Sequence, residues 1–424
     1  MTAVRLKYVA DVAYGLGQPP AQANDGVPVI RATNIHRGRI VPDGLMRADP
    51  ADVPWDRCPP LTAGEILVVR SGAYTGDSAM VTAGWEGSAP GYDLRITPKR
   101  VDPRFLAYVL LSTPALDYFD DCRMRAAQPH LNADQLAALR VPMMTRQTEA
   151  RIADFLDKEA AQIDALIARR DSQRVRSSER RRAVIFAAAA GRLGSAEPQR
   201  PSAVPWVERL PASWDEVKLT LVARLGTGHT PSRGRPDLWV DCNIPWITTG
   251  EVAQVRDDRQ EVLTRTRERI SELGLANSAA ELRPPGTVVL SRTASAGYSA
   301  IMGTAMATSQ DFVTWTCGPR LVPRFLLFCL RAMRSDLLGR LAMGSTHKTI
   351  YFPDIESIRT PLPTIREQQR MLDLADKELR PLAPLEDAVD RQIALLRERR
   401  QALITAAVTG ELQVPAAVMT NGVA

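Results

Sequence analysis

Apolar residues recur at three- and four-residue steps in two stretches of the chain. Leu385, Val389, Ile393, Leu396, Leu403 and Ile404 trace one stripe; Ile152, Phe155, Leu156, Ile163, Leu166, Ile167, Val175, Val184 and Ile185 trace the other. That spacing returns side chains to one face of a helix and leaves a narrow apolar seam suited to a second helix. Thr364 and Glu367 stand three apart at the head of the later stretch, as in a capping box, whereas the equivalent Thr145 lacks the acidic partner. Pro381 and Pro384 predict a break into a short helix and a long one, because proline fits a first turn and not a helix interior. Gly191 and Gly410 follow alanine-rich turns, where a left-handed residue closes a helix. If residues 385–409 are continuous they form a rod of about 37 Å, at about 1.5 Å per residue. Two such rods in one chain pack most simply antiparallel along their seams.

Between the helical stretches the pattern changes. Short β-branched or alternating runs at 65–70, 78–82, 287–291 and 311–316 lie among Gly/Ser/Thr-rich loops, and 103–119 and 323–338 look like apolar helices. Each such region suits an α+β globule of about 150 residues. Residues 194–214 carry the Pro/Ser signature of a linker.

An internal repeat orders these pieces. Residues 142–193 align with 361–412 at a constant offset of 219, without a gap and with 19 identities in 52 positions. Shared positions include Pro142/Pro361, Asp157-Lys158-Glu159/Asp376-Lys377-Glu378, Glu179-Arg180-Arg181/Glu398-Arg399-Arg400 and Gly191/Gly410. Upstream the match is weaker: Pro103-Arg104-Phe105-Leu106 recurs as Pro323-Arg324-Phe325-Leu326, and Val27-Pro28-Val29-Ile30 echoes Ile244-Pro245-Trp246-Ile247. The chain therefore reads A–B–A′–B′, with near-duplicate B units and A units that share a framework while differing in detail.

Composition narrows the classes. The 424 residues fit two or three domains, and 24% charged with 45% hydrophobic residues is ordinary for a folded protein. Five scattered cysteines never form a C-x-x-C pair, which argues against a disulfide framework or a cysteine zinc site and suits a reducing cytoplasm. No stretch approaches 18 apolar residues and the N-terminus lacks a signal core, so a membrane-spanning or secreted protein is not expected. The net charge of +6 rests on 48 arginines against six lysines. GC-rich coding produces such a bias, and so does a phosphate-binding surface; charge alone does not choose.

Catalytic signatures are missing. There is no G-x-x-x-x-G-K-[ST] phosphate loop, Gly15-Leu16-Gly17 runs into Pro19-Pro20, and no Asn/Asp-Pro-Pro-aromatic pattern occurs. Glu216-Val217-Lys218 lacks the upstream aspartate of a nuclease in a suitable strand context, and His36, His130, His229 and His347 stand alone, with no second ligand at metal spacing. Neither a catalytic residue nor a metal site is expected.

Two unlike globules, each followed by a near-duplicate helical unit, resemble the specificity subunit of type I restriction-modification enzymes. The residues that carry the resemblance are Pro361-Leu362-Pro363 leading to Gln368, and Arg397 through Ile404 running into Ala407-Val408-Thr409-Gly410-Glu411-Leu412. The opening Leu225-Gly226-Thr227-Gly228-His229-Thr230-Pro231 adds to them. The first half departs at its exit, Ala189-Ala190-Gly191-Arg192, and lacks the Leu-Pro-x-x-Trp lead-in of 210–214. The resemblance implies an α+β fold: two similar mixed α/β target recognition domains separated by two long helical segments, packed as an antiparallel coiled coil with pseudo-two-fold symmetry. The divisions would be recognition domains at 1–141 and 215–360, helical spacers at 142–193 and 361–412, a linker at 194–214 and a tail at 413–424.

It also implies a cytoplasmic, non-catalytic protein reading a bipartite, asymmetric site in double-stranded DNA, with two DNA methyltransferase subunits and motor-nuclease restriction subunits as partners. S-adenosylmethionine, ATP and Mg would be bound by those partners and not by this chain. A stiff helical pair would hold two readers apart, as half-sites on one DNA face recur about every 34–36 Å.

Base and phosphate contacts need donors on loops. Candidates are Arg70, Ser71, Tyr74 and Thr75 with their counterparts Arg292, Thr293, Ser295 and Tyr298; Arg31, Thr33 and Asn34 with Thr248 and Thr249; and Ser345, Thr346, His347 and Lys348. The run Arg169–Arg182 holds seven arginines against two acids, which makes Arg174 and Arg176 candidates for phosphate contact if the run is more than a solvated helix face. Leu385, Val389, Ile393, Leu396 and Leu403 are the expected helix-docking positions. Two other readings stay open from the residues: a self-contained methyltransferase or nuclease with unfamiliar motifs, and a protein-only coiled-coil adaptor.

Overall fold

The computed structural model describes residues 2–124, 130–194, 197–342 and 348–415. These fall into two compact units: residues up to 170 together with those from 391 onward, and residues 171–390.

Both units are built on one plan. In unit 1, Ala10–Tyr14, Leu94–Pro98, Ile66–Val68 and Ser78–Met80 form an antiparallel sheet in that order. In unit 2 the corresponding order is Ala223–Thr227, Phe312–Cys317, Val288–Ser291 and Ser299–Met302, with Val262–Leu263 added in parallel at the edge. A second, three-stranded sheet is also shared. Val27–Ile30 lies between Met46–Ala48 and Ala89–Pro90, and Ile244–Ile247 between Glu268–Ile270 and Ala307–Thr308, each with one antiparallel and one parallel neighbour. Each unit is closed by a short pair, Ala3–Arg5 with Arg140–Pro142 and Asp215–Lys218 with Arg359–Leu362. The central strands are buried throughout, which is why they read as continuous apolar runs.

A helix packs on each main sheet. Pro103–Leu110 buries Phe105, Leu106, Val109 and Leu110, and Pro323–Ala332 buries every residue from Phe325 to Arg331. Fully burying each such Leu or Phe contributes about 1.5–3 kcal/mol. The single helix expected over 103–119 is two: the first ends at Leu110 and a new one, Thr113–Met124, carries Pro114 in its first turn, where no intrahelical N–H is needed. The helix expected over 323–338 likewise ends at Ala332, followed by the turn Arg334–Asp336 and a π-helical turn Leu337–Leu341.

The repeated segments form helices α1 (Arg146–Ala189), α2 (Ile365–Leu379) and α3 (Leu382–Thr409). α1 runs for 44 residues without proline or glycine. It stops at Gly191 (φ +65°) in a Schellman arrangement, with Arg192 N donating to Ala187 O (2.7 Å) and Gly191 N to Ala188 O (3.2 Å). Pro384 occupies the first turn of α3, so that helix starts three residues before the expected 385. Of the expected capping box, Thr364 accepts from Glu367 N at 3.3 Å.

Residues 194–214 hold more structure than their composition suggests. Gln199–Pro201 and Arg209–Pro211 form an antiparallel hairpin, and Val204, Val207, Leu210 and Trp214 enter the core of unit 2.

Candidate nucleic-acid interface

In unit 1 the loop from Val69 to Asp77 joins Ile66–Val68 to Ser78–Met80 and turns at Gly72 (φ +88°) and Gly76 (φ +94°). Thr75 is buried and donates to Gly72 O (2.7 Å), so it braces the turn and is withdrawn from any ligand. Tyr74 is 46% exposed and meets His36 edge-on at 5.6 Å. Ser71 is half-buried and bridged to His130 through the backbone. The Arg70 guanidinium lies 4.7 Å from the ring of Tyr14 and 4.1 Å from that of Tyr92, with Nη2 3.0 Å from His130 Nε2.

The turn after Val27–Ile30 corrects part of the expectation. Asn34 is fully buried; its Oδ1 accepts from Arg31 N (3.2 Å) and its Nδ2 donates to Val41 O (3.1 Å) and Asp43 O (3.0 Å). Arg31 Nη2 donates to Gly44 O (2.8 Å). Both hold the loop that returns the chain, because a strand ending in a tight turn leaves polar backbone that must be satisfied locally. Thr33 alone of this trio remains exposed.

Beneath Arg70 lies Asp93, buried, whose Oδ1 accepts from Arg70 N at 3.3 Å. Burial pushes its carboxyl up to about 6, opposed by that hydrogen bond and by the Arg70 charge. An acid raised on folding stabilises the fold most below its unfolded value near 4, and that contribution is lost as pH rises through about 6. Unit 1 is expected to lose stability across this window and Asp93→Asn to flatten the loss; equal slopes of urea midpoint against pH in both proteins would contradict this.

Unit 2 repeats the turn with different chemistry. Thr248 N and Oγ1 donate to Glu251 Oε2 (2.8 and 2.9 Å), and buried Glu251 also accepts from Arg267 N (2.8 Å). Thr249 is exposed beside a cleft of about 340 Å³ bounded also by Thr230, Arg233, Ser309 and Asp311. Arg233 stacks on Trp239 at 3.8 Å and pairs with Glu268 at 2.9 Å. Arg292 is tied down: Nε donates to Gln310 O (2.9 Å) and Nη1 to Ile350 O (3.3 Å). Thr293 donates to Asp311, Ser295 is half-buried, and Tyr298 packs against Arg334 at 4.5 Å. Lys348 is exposed with Nζ on Leu338 O (3.0 Å), while Ser345, Thr346 and His347 lie outside the described residues.

The helices carry contacts that apolar periodicity missed. In unit 2, buried Glu386 of α3 accepts from Ser177 Oγ (2.8 Å) and Arg181 Nη2 (2.7 Å) of α1, with Arg259 Nε at 3.1 Å. In unit 1, Asp164 of α1 pairs with Arg400 Nε of α3 (3.0 Å) and Arg39 (2.6 Å). Arg181 and Arg400 are the same position of the repeated Glu-Arg-Arg triplet, which was the available signal. Leu385 is 42% exposed and off the seam, which passes through Leu382, Glu386 and Val389. Val389 and Ile393 are buried, and Leu396 and Leu403 half-buried.

Of the arginine run, Arg174 pairs with Asp171 (2.9 Å), Arg180 with Glu378 (2.9 Å), and Arg176 is exposed. So compensated, the run is expected to act as a solvated helix face. Reversing Arg174, Arg176 and Arg180 to Glu should leave DNA affinity and subunit assembly unchanged. A loss of about ten-fold or more in affinity would instead assign it to phosphates.

Among the described residues no group of three or more His, Cys, Asp or Glu side chains is placed to hold a metal ion, and no helix is long and apolar enough to cross a membrane.

Residues 211–380 match the family model of the type I restriction modification DNA specificity domain. Over 166 residues the chain is 25% identical to the type I restriction enzyme MjaIX specificity subunit of Methanocaldococcus jannaschii, covering 39% of this chain and 38% of that protein. Over 192 residues it is 22% identical to the EcoR124I/EcoR124II specificity subunit of Escherichia coli, covering 43% and 46%. The matched stretches thus span less than half of either curated relative. A solved chain from work on complex assembly and conformational transition of the type I R-M system superposes over 97% of this chain and 98% of its own, with a TM-score of 0.60 and 19% identity. The chain thus shares with that solved chain a fold of two mixed α/β units with helical connections. Over residues 211–380 the chain is therefore similar to the type I restriction modification DNA specificity domain, and two curated type I specificity subunits share that similarity over 39% and 43% of the chain.

Proposed function

We propose that this chain is the non-catalytic, cytoplasmic reader of a type I restriction-modification complex: each unit contacts one half of a bipartite, asymmetric site in double-stranded DNA. The observation that carries the reading is that two units with the same strand order present unlike side chains at matching loops. Arg70 between two tyrosines occupies the place where unit 2 has Arg292 bound to backbone carbonyls. A duplicated scaffold with divergent loops suits two different half-sites, whereas a protein-only adaptor has no need of the divergence. The helices, with Leu385 and Leu395 exposed, are the proposed docking surface for two DNA methyltransferase subunits, and motor-nuclease subunits complete the assembly. S-adenosylmethionine, ATP and Mg belong to those partners in this reading.

The test is DNA binding by the full chain assembled with its methyltransferase subunit, across a library of duplexes. Sequence-dependent binding is expected, with specific sites preferred about a thousand-fold or more over random DNA. Equal affinity for all sequences would overturn the reading, and methylation or cleavage by the isolated chain would overturn the assignment as non-catalytic.

A further inference from the structure

Resting on the proposed reading of unit 1 as a DNA reader, we propose that Arg70 recognises a guanine in the first half-site, through the end-on edge of a guanidinium held between Tyr14 and Tyr92. Three observations support this. The two rings lie 4.7 and 4.1 Å from the guanidinium carbon and are themselves 49% and 44% exposed, so the plane of the group is fixed where solvent has access. Nη2 is 3.0 Å from His130 Nε2, which sets the rotation of the group about its long axis, and His130 is in turn bridged to Ser71 through the backbone. Among the described residues no carboxylate lies within 4 Å of the Arg70 guanidinium, in contrast to Arg233, Arg324 and Arg334, which are stacked on rings and also paired with acids.

A planar, oriented cation with unspent donors is what a bidentate contact to guanine O6 and N7 requires. A phosphate also accepts a bidentate guanidinium but carries no sequence information, so a phosphate contact would strengthen binding to all sequences alike, whereas a guanine contact acts at one position. The ordering is also complete before binding, so little side-chain entropy is lost on contact. Position supports the assignment. Arg70 O accepts from Leu131 N and Arg292 O from Ile350 N, both at 2.8 Å, so the two arginines occupy the same node of the shared fold. At that node unit 2 uses Nε and Nη1 on its own backbone. The node is a reader in one domain and a brace in the other, and only the first half-site inherits a guanine from it.

The experiment uses the full chain assembled with its methyltransferase subunit. First the methylated motif is mapped, and then each guanine of the first half-site is replaced in turn by 7-deazaguanine, which lacks the N7 acceptor. With the wild-type complex one replacement is expected to weaken binding about ten-fold or more, and in Arg70→Ala the same replacement should have no further effect. Arg70→Ala should also relax the methylated motif at that one position while leaving the second half-site intact. The 7-deazaguanine series on wild-type protein stands even if the variant folds poorly. A first half-site without guanine, no sensitive position, or an Arg70→Ala complex weakened equally on all sequences overturns the inference while leaving the DNA-reading function in place. Absence of any sequence preference in the wild-type complex overturns both.

Discussion

Replacing Glu386 by alanine is expected to destabilise unit 2 by about 3–5 kcal/mol, because it strands a buried guanidinium. Glu386 is 2% exposed, and the Arg181 side chain it binds at 2.7 Å is 7% exposed. Charges taken out of water are tolerated only while their partners remain. The same reasoning predicts that Arg181→Met combined with Glu386→Leu recovers most of the loss, since removing both charges also removes their desolvation cost. Asp164 in unit 1 makes the analogous link to Arg400, yet the pair is 17% and 15% exposed and Arg39 beside it 62%. Asp164→Ala is therefore expected to cost only about 1 kcal/mol. Urea unfolding followed by tryptophan fluorescence reports chiefly on unit 2, which holds Trp206, Trp214, Trp239, Trp246 and Trp315 of the seven tryptophans. A loss below about 1 kcal/mol in Glu386→Ala would contradict the account of the clamp.

Gln368→Glu is expected to cost about 3 kcal/mol or more, while Glu149→Gln at the equivalent position should stay within about 1 kcal/mol of wild type. Gln368 is fully buried: Oε1 accepts from Val322 N (2.8 Å), and Nε2 donates to Arg320 O (2.8 Å) and Pro363 O (2.9 Å). A carboxylate there would set an oxygen against two carbonyls. Glu149 accepts from Asp102 N (2.9 Å) through one oxygen, and its other oxygen is buried with no hydrogen-bond partner, so an amide keeps the one hydrogen bond and loses only a long ion pair (4.0 Å) to the exposed Arg146. Comparable losses in both variants, read from urea midpoints, would show that the two junctions are not distinguished by their hydrogen bonding. The Pro-x-x-x-x-Gln entry motif thus has a structural cause: the glutamine ties the start of α2 to the residue that begins the Pro323–Ala332 helix.

Legibility in the sequence followed physical scale. The repeat, the helices and the proline break were readable because each rests on local spacing: Gly191 and Gly410 end their helices at φ +65° and +78° as a left-handed cap requires. The seam of α3 was read one residue out, since a search for apolar residues steps from Val389 back to Leu385. The buried line continues instead through Glu386 and Leu382, a charge acceptable inside only because Arg181 and Ser177 meet it across the helix pair. Segment 194–214 looks like a linker by composition, yet Trp214 and Leu210 bury against distant strands that no local window contains. Among the loop candidates, polarity alone did not separate Asn34 and Thr75, which spend their donors on the backbone, from Arg70, whose two flanking tyrosines come from other strands and loops.

The central claim is that each unit reads its own half of one DNA site. The most direct measurement is base-resolution mapping of methylation in cells that express the chain with its methyltransferase subunit, repeated after residues 1–141 are exchanged for the corresponding domain of a relative. The account predicts a bipartite methylated motif in which the exchange alters one half and leaves the other unchanged. A motif that is not bipartite, or an exchange that changes both halves or neither, would contradict it.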